Sequence, residues 1–174
     1  MGKLLERQLC ERALIRISQG DLSALTVIYE HFGKLLFAIA YSILRDRDSA
    51  EDILHDTFVR IAENAHMYKK GTHAVAWLVS VCRNLALSRL KRENREAEYY
   101  EASYISDNQG HSDLYFMDML SSLTAEEREI VILKVYCGFK HIEIAEALGI
   151  TVENTRKKYT RAIEKLKKQH KEGE

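Results

Sequence analysis

The sequence predicts an all-α protein: two small helical domains, a four-helix N-terminal one and a C-terminal helix-turn-helix, joined by a flexible acidic linker. Three observations carry that expectation. Pro is absent and Gly numbers only 8 in 174 residues, so little interrupts a helix, whose ladder Pro breaks and Gly weakens by about 1 kcal/mol. Apolar residues recur at three- and four-residue spacing through most of the chain, as in helices with one buried face. That periodicity disappears over residues 96–113, which are polar, acidic and Tyr-containing. The domains expected are therefore residues 1–95 and 114–174, with 96–113 as linker.

In the N-terminal domain a first helix is expected from about Leu5 to Ser18, closed by Gln19–Gly20. Asp21 then caps a long one in which Leu25, Ile28, Tyr29, Phe32, Leu36, Ile39, Ala40, Ile43 and Leu44 fall at helical spacing. Arg45–Asp46–Arg47 breaks the pattern, and Asp48 with Glu51 three residues on suggests a reciprocal cap for a third helix. That helix is expected to bury Ala50, Ile53, Leu54, Phe58, Ile61 and Ala62. A loop, Tyr68 to Thr72, leads to a fourth helix from about His73 to Arg95, with Trp77, Leu78, Val81, Leu85 and Leu90 as its apolar stripe.

In the C-terminal domain, Thr124-Ala-Glu-Glu127 reads as a capping box before the apolar run Ile130–Tyr136, with Gly138 ending that helix. Residues 142–166 then read as two helices joined by a tight turn. Ile144 and Leu148 point inward, and small Ala145 permits close approach. Gly149 occupies the left-handed position just past the helix end, Ile150 plugs the corner, and Thr151 caps the last helix. Val152, Thr155, Tyr159, Ile163 and Leu166 share one face of that helix. Asn154, Lys157, Arg161 and Lys168 centre the opposite face, flanked by Arg156 and Lys158. Such a face suits a major groove, with cations for phosphates and an amide for base edges; an ordinary hairpin with a solvated basic face is the plainer alternative.

Net charge is 0, which alone argues against a nucleic-acid binder, but the charges are segregated. Thr151 to Lys171 holds eight Lys/Arg against two Glu, and Arg83 to Arg95 holds five against one. Glu96 to Asp118 carries six acids and no Lys or Arg. Two basic surfaces with an acidic connector are expected. Cys10, Cys82 and Cys137 are widely spaced within helical patterns and read as buried free thiols in a reducing compartment. No apolar run is expected to approach the roughly 20 residues that span a bilayer, and the charged N-terminus is not a secretory signal. A cytoplasmic protein without membrane insertion is expected.

Three stretches together resemble the extracytoplasmic-function (ECF) sigma factors of bacterial RNA polymerase. AEDILHDTF, Ala50 to Phe58, is similar to the family's polymerase-binding helix. WLVSVCRNLALSRLKR, Trp77 to Arg92, is similar to its promoter-melting and minus-ten-reading helix. LTAEEREIVILKVYCGFKHIEIAEALGIT, Leu123 to Thr151, is similar to the lead-in to its minus-thirty-five-reading helix. The resemblance covers the chain from about Gly20 to Lys167. It implies a promoter-specificity subunit with no catalysis of its own and no cofactor, monomeric when free. The partners it implies are the largest and second-largest subunits of the polymerase core, promoter DNA, and an anti-sigma factor.

The resemblance also assigns roles by position. Glu51, Asp52, His55 and Asp56 form the core-binding face, which spacing alone leaves as an ordinary solvated acidic face. The Asp52–His55–Asp56 spacing could hold a metal, yet no second ligand cluster accompanies it, and none is expected. Trp77, Arg83, Asn84, Arg89, Lys91 and Arg92 are the minus-ten contacts, with Trp77 a core residue or a stacking platform. The loop from Tyr68 to Ala74 would hold a flipped base. Asn154, Arg156, Lys157, Lys158 and Arg161 are the minus-thirty-five contacts.

The chain departs from the family pattern in places. Ala74 stands where an aromatic is usual, Ser88 where an acid is usual, Lys140 where a capping Ser is usual, and Asn154–Thr155 where Thr–Val is typical. The first two bear on minus-ten contacts; the others imply an unusual minus-thirty-five preference or a weaker cap. A stand-alone helix-turn-helix regulator is the alternative, but it leaves the acidic third helix and basic fourth helix unexplained. A helical-bundle enzyme is disfavoured by seven scattered His and the lack of a Gly-rich phosphate loop.

Overall fold

Apolar spacing resolves into helices throughout the computed structural model, which describes residues 3–100, 120–136 and 138–172 and holds no strand among them. The chain divides into two units, Met1–Asn108 and Gln109–Glu174. The first contains α1 (Lys3–Ser18), α2 (Leu25–Leu44), α3 (Arg47–Asn64) and α4 (Ala74–Tyr100), with short 3-10 turns at Leu22–Ala24 and Ala65–Met67. The second contains α5 (Ala125–Val131), widening into a π-turn at Ile132–Tyr136, then α6 (His141–Leu148) and α7 (Val152–Glu172).

Helix α2 is the core of the first unit and packs against α1, α3 and α4. Its Ile28, Phe32, Leu36, Ile39, Ala40 and Ile43 are buried, joined by Cys10, Leu14 and Ile17 of α1 and by Ala50, Ile53 and Ile61 of α3. Each fully buried Leu or Ile contributes about 1.5–3 kcal/mol. Contrary to the expectation that nothing here approaches a bilayer span, Leu22–Leu44 is long and apolar enough by length and composition. Burial of its apolar face against three neighbouring helices, with Glu30 and Lys34 exposed, gives it a core role.

Three sequence expectations shift. Helix α2 ends as expected at Arg45, but by placing that residue in the left-handed region at φ 59°, with its N–H donating to the Tyr41 carbonyl. The cap of α3 is Asp46, not Asp48. Only Asp46 has the extended backbone an N-cap requires, and its carboxylate accepts from Ser49 N–H at 2.8 Å. Glu51, freed from a capping role, pairs with Arg47 at 2.9 Å. In α4 the buried stripe is Ala74, Val75, Leu78, Val79, Cys82 and Ala86, whereas Trp77, Val81, Leu85 and Leu90 are only half-buried. Leu78 is buried as expected, and Ala74, Cys82 and Ala86 share the inner face because α4 packs closely against three helices at once. Helix α4 also continues to Tyr100, past the expected end at Arg95, so the first residues assigned to the linker are helical. The linker residues 101–113 lie outside the described residues.

In the second unit the capping box forms as expected. Glu127 accepts Thr124 N–H at 2.9 Å, and Thr124 Oγ1 accepts Glu127 N–H at 3.3 Å. The π-turn has no counterpart in the sequence pattern; it carries the chain to Gly138 at φ 64°, and Phe139 N–H closes onto the Leu133 carbonyl at 2.9 Å. Gly149 is left-handed at φ 67°, as the turn between α6 and α7 demands. Thr151 Oγ1 accepts Asn154 N–H at 3.2 Å and so caps α7. Lys140 gives α6 no side-chain cap, but Glu143 reaches back to Lys140 N–H at 2.8 Å, supplying half of a box. On α7 the innermost residues are Thr155 and Ala162, while Val152, Tyr159, Ile163 and Leu166 are half-buried around them.

The Glu127 carboxylate also binds Lys165 of α7 at 2.8 Å, with its side chain only 8% exposed. Burial alone would raise its pKa, but Lys165 and the Thr124 N–H outweigh burial and hold it below the ordinary 4.5. A depressed folded-state pKa contributes stability that is present above 4.5 and lost as pH falls through the folded value. At pH 7, Glu127→Gln is expected to cost about 1–2 kcal/mol. Calorimetric unfolding of the second unit should weaken more steeply with acidification in wild type than in Glu127→Gln; parallel pH profiles would contradict this.

Candidate nucleic-acid interface

The acidic face of α3 arises from its phase. Ile53, Thr57 and Ile61 turn inward, Thr57 satisfying its hydroxyl on the Ile53 carbonyl at 2.7 Å. That orientation leaves Glu51, Asp52, His55 and Asp56 all exposed, so the four candidate core-binding residues do share one outer face. Asp52 is not independent of α4, however, because its carboxylate lies 3.5 Å from Arg89. Arg89 also binds Glu93 at 2.6 Å, and these carboxylates, Glu93 foremost, raise its pKa.

The candidate minus-ten residues on α4 divide by environment. Asn84, Lys91 and Arg92 are exposed, and Arg83 is half-buried. Arg89, with side chain 26% exposed and held by two carboxylates, is a bridge between α3 and α4 more than an outward cation. Trp77 is half-buried, and the edge of Tyr68 meets it at 6.0 Å between ring centroids and 67° between planes. Ala74, where the family usually has an aromatic, is fully buried. The aromatic partner of Trp77 therefore comes from the loop, through Tyr68.

The candidate minus-thirty-five residues on α7 also divide. Asn154, Lys157 and Arg161 are exposed on the front and Arg156 on its flank, with Lys157 lying 2.7 Å from Glu153 one turn away. Lys158 turns instead toward α5 and pairs with Glu126. With the Glu127–Lys165 pair, this makes two cations that fasten one flank of α7. At the start of α6, His141 packs edge-on against Tyr159 at 5.3 Å. Burial first, then the charges of Lys134 and Arg156, lowers its pKa and favours the neutral ring.

Sequence reasoning missed Glu126 and Glu127 as the partners that take cations away from the basic face. Glu126 and Lys158 are 32 positions apart, beyond any local periodicity. Glu63 and His66 of the first unit stand at Glu-x-x-His spacing, and no group of three or more His, Cys, Asp or Glu among the described residues could hold a metal.

An exposed acidic helix face, a cation-bearing helix beside an aromatic pair, and a helix-turn-helix with a basic front define a DNA-binding protein of two units. The family models match in the same two places: sigma-70 region 2 over residues 28–96 and sigma-70 region 4 over residues 113–166. ECF sigma factor EcfG of Rhodopseudomonas palustris (strain TIE-1) is 29% identical over 138 residues, covering 75% of this chain and 76% of that protein. CarQ, a sigma factor of Myxococcus xanthus, is 29% identical over 133 residues, covering 72% and 76%. The sigma factor RpoE of Bartonella quintana, solved with the anti-sigma factor NepR, superposes with a TM-score of 0.74 at 25% identity, covering 82% of this chain and 94% of that one. CnrH, solved with the cytosolic domain of CnrY, shares the fold with a TM-score of 0.72 at 20% identity, covering 95% and 99%. The two sigma-70 models together span well over half of the sequence, and the chain belongs to the sigma-70 family of RNA polymerase sigma factors, in its ECF group.

The Asp52–Arg89 contact makes a structural prediction. Exposed ion pairs contribute up to about 1 kcal/mol. Asp52→Lys and Arg89→Ala are each expected to lower the unfolding midpoint of the first unit, with a double variant less destabilised than their sum. Asp56→Lys, on the same exposed face but outside that bridge, should change stability by less than about 0.5 kcal/mol. Strict additivity in the cycle would contradict the bridge.

Proposed function

We propose that the chain, as the promoter-specificity subunit of RNA polymerase, divides the promoter between its two units. The first docks on the core polymerase through Glu51, Asp52, His55 and Asp56, where acidic side chains steer association and fix register. Its α4 face, with Asn84, Lys91 and Arg92, holds the opened minus-ten strand, cations on phosphates and the amide on an exposed base. Arg83 and Arg89 lie on opposite flanks of that face, Arg89 contributing once its carboxylates are displaced. The second unit reads duplex minus-thirty-five DNA. The domains assigned to these tasks are residues 1–95 and 114–174, and catalysis stays with the polymerase.

The front of α7 supports this reading: Asn154, Lys157 and Arg161 are exposed together, with Arg156 exposed on the flank, while Thr155 and Ala162 are buried behind them. Asn154 and Lys157 sit near the helix N-terminus, where major-groove helices read base edges; Arg156 and Arg161 are placed for phosphates. Lys158 keeps to its partner on α5 and supports the helix. An anti-sigma factor, as found with the Bartonella quintana RpoE, is a further partner, and the cytoplasm is the compartment where polymerase works.

Run-off transcription with purified core polymerase tests the reading as a whole. Within it, Lys157→Ala is expected to change which minus-thirty-five sequences are used, because losing a base contact costs about 1–3 kcal/mol at one position. Arg161→Ala should lower transcription from all of them alike. Promoter-library transcription decides this: matching sequence profiles for both variants, differing only in strength, would overturn the assignment of the reading face.

A further inference from the structure

Helix α1 precedes the residues matched by the region 2 family model, 28–96, yet it reaches into the loop that leads to Trp77. One oxygen of Glu11 accepts Gly71 N–H at 2.6 Å. The Tyr68 hydroxyl lies 3.2 Å from that same oxygen and 2.9 Å from the Thr72 carbonyl, so its single proton serves one of the two at a time. Thr72 closes the turn by donating its hydroxyl to the Lys69 carbonyl at 2.7 Å and its N–H to the same oxygen at 3.1 Å. Gly71 sits at φ 86°, which a side chain would strain. From this turn Tyr68 presents its ring edge to Trp77, while Lys69, Lys70, Gly71 and Thr72 are exposed.

A loop with adjacent Lys69 and Lys70 and a central Gly would repel itself and lose much conformational entropy on ordering. The Glu11 carboxylate opposes the second effect: it accepts a charge-assisted hydrogen bond, roughly twice as strong as a neutral one, from the Gly71 backbone. The tether thus runs from α1 through one carboxylate to the turn, and through Tyr68 to Trp77 on α4.

We propose that Glu11 is a positioning residue for promoter reading: it fixes the 68–72 loop and the Tyr68–Trp77 pair so that Lys69 and Lys70 meet the opened minus-ten strand in one geometry. The inference rests on the proposed function, in which this face of the first unit engages that strand. It adds a residue outside the region 2 match, and two phosphate-facing cations, to the minus-ten surface.

The test is transcription by the full chain with core polymerase from a promoter library randomised at minus-ten, over a constant minus-thirty-five sequence. Glu11→Ala is expected to flatten minus-ten discrimination by roughly tenfold, the scale of one lost base contact, with core affinity and the minus-thirty-five profile unchanged. Glu11→Gln keeps the accepting oxygen and should restore most of the selectivity. Tyr68→Phe keeps the ring but loses the hydroxyl and should fall between. Trp77 is the only Trp in the chain, so its emission in the free protein reports the loop directly and should shift in Glu11→Ala.

A wild-type minus-ten profile in Glu11→Ala would overturn the inference. So would equal loss of minus-ten and minus-thirty-five discrimination, which marks general destabilisation. If Glu11→Ala loses helicity, the other two variants decide, and a wild-type profile in Tyr68→Phe then sinks the proposal. A wild-type protein with no minus-ten preference would instead bring down the underlying function, and the inference with it.

Discussion

The Glu127 carboxylate closes the cap at Thr124 and holds Lys165 at 2.8 Å, and through it α5 fixes one flank of α7. Its neighbour Glu126 does the same for Lys158. A helix with this many cations would otherwise repel itself and could rotate about its axis, since half-buried Tyr159, Ile163 and Leu166 leave much of its apolar face shallow. A nearly buried carboxylate removes that freedom, because leaving it unpaired would cost several kcal/mol. The two pairs therefore set which side chains of α7 point outward. Asn154, Arg156, Lys157 and Arg161 are displayed because Lys158 and Lys165 are restrained.

The first unit obeys a related constraint. Its acidic and basic helices are neighbours, and Asp52 and Arg89 sit 3.5 Å apart where α3 meets α4. The surfaces assigned to polymerase and to DNA thus share a contact. An exposed pair contributes little to stability, so it can be exchanged at small cost when either partner arrives.

Much of this is legible from local pattern. The capping box at Thr124 and Glu127, the left-handed Gly149, the Thr151 cap and the all-helical architecture each depend on residues close in sequence. The cap of α3 is easily misplaced to Asp48 because Asp46 and Asp48 lie so close together, and only backbone conformation chooses between them. The stripe of α4 misleads because size favours Trp77 and Leu85, whereas close packing favours Ala74, Cys82 and Ala86. Contacts between distant residues leave no local trace. Lys158 looks like a DNA contact on a basic face, and nothing near it in the chain announces Glu126. The exposed acidic face of α3 is legible, but its tie to Arg89 is not.

If the cations of α7 are divided between those that hold the helix and those that face DNA, removing one of each kind has separable effects. Each phosphate contact contributes about 0.9 to the slope of binding against salt on logarithmic axes. The decisive measurement is that slope, for promoter binding by the reconstituted holoenzyme, in Arg156→Ala and Lys158→Ala, alongside thermal unfolding of each free variant. The account predicts that Arg156→Ala reduces the slope by about one unit with unchanged stability. It predicts that Lys158→Ala keeps the slope and lowers the unfolding midpoint of the second unit. A reduced slope with full stability in Lys158→Ala would contradict the division.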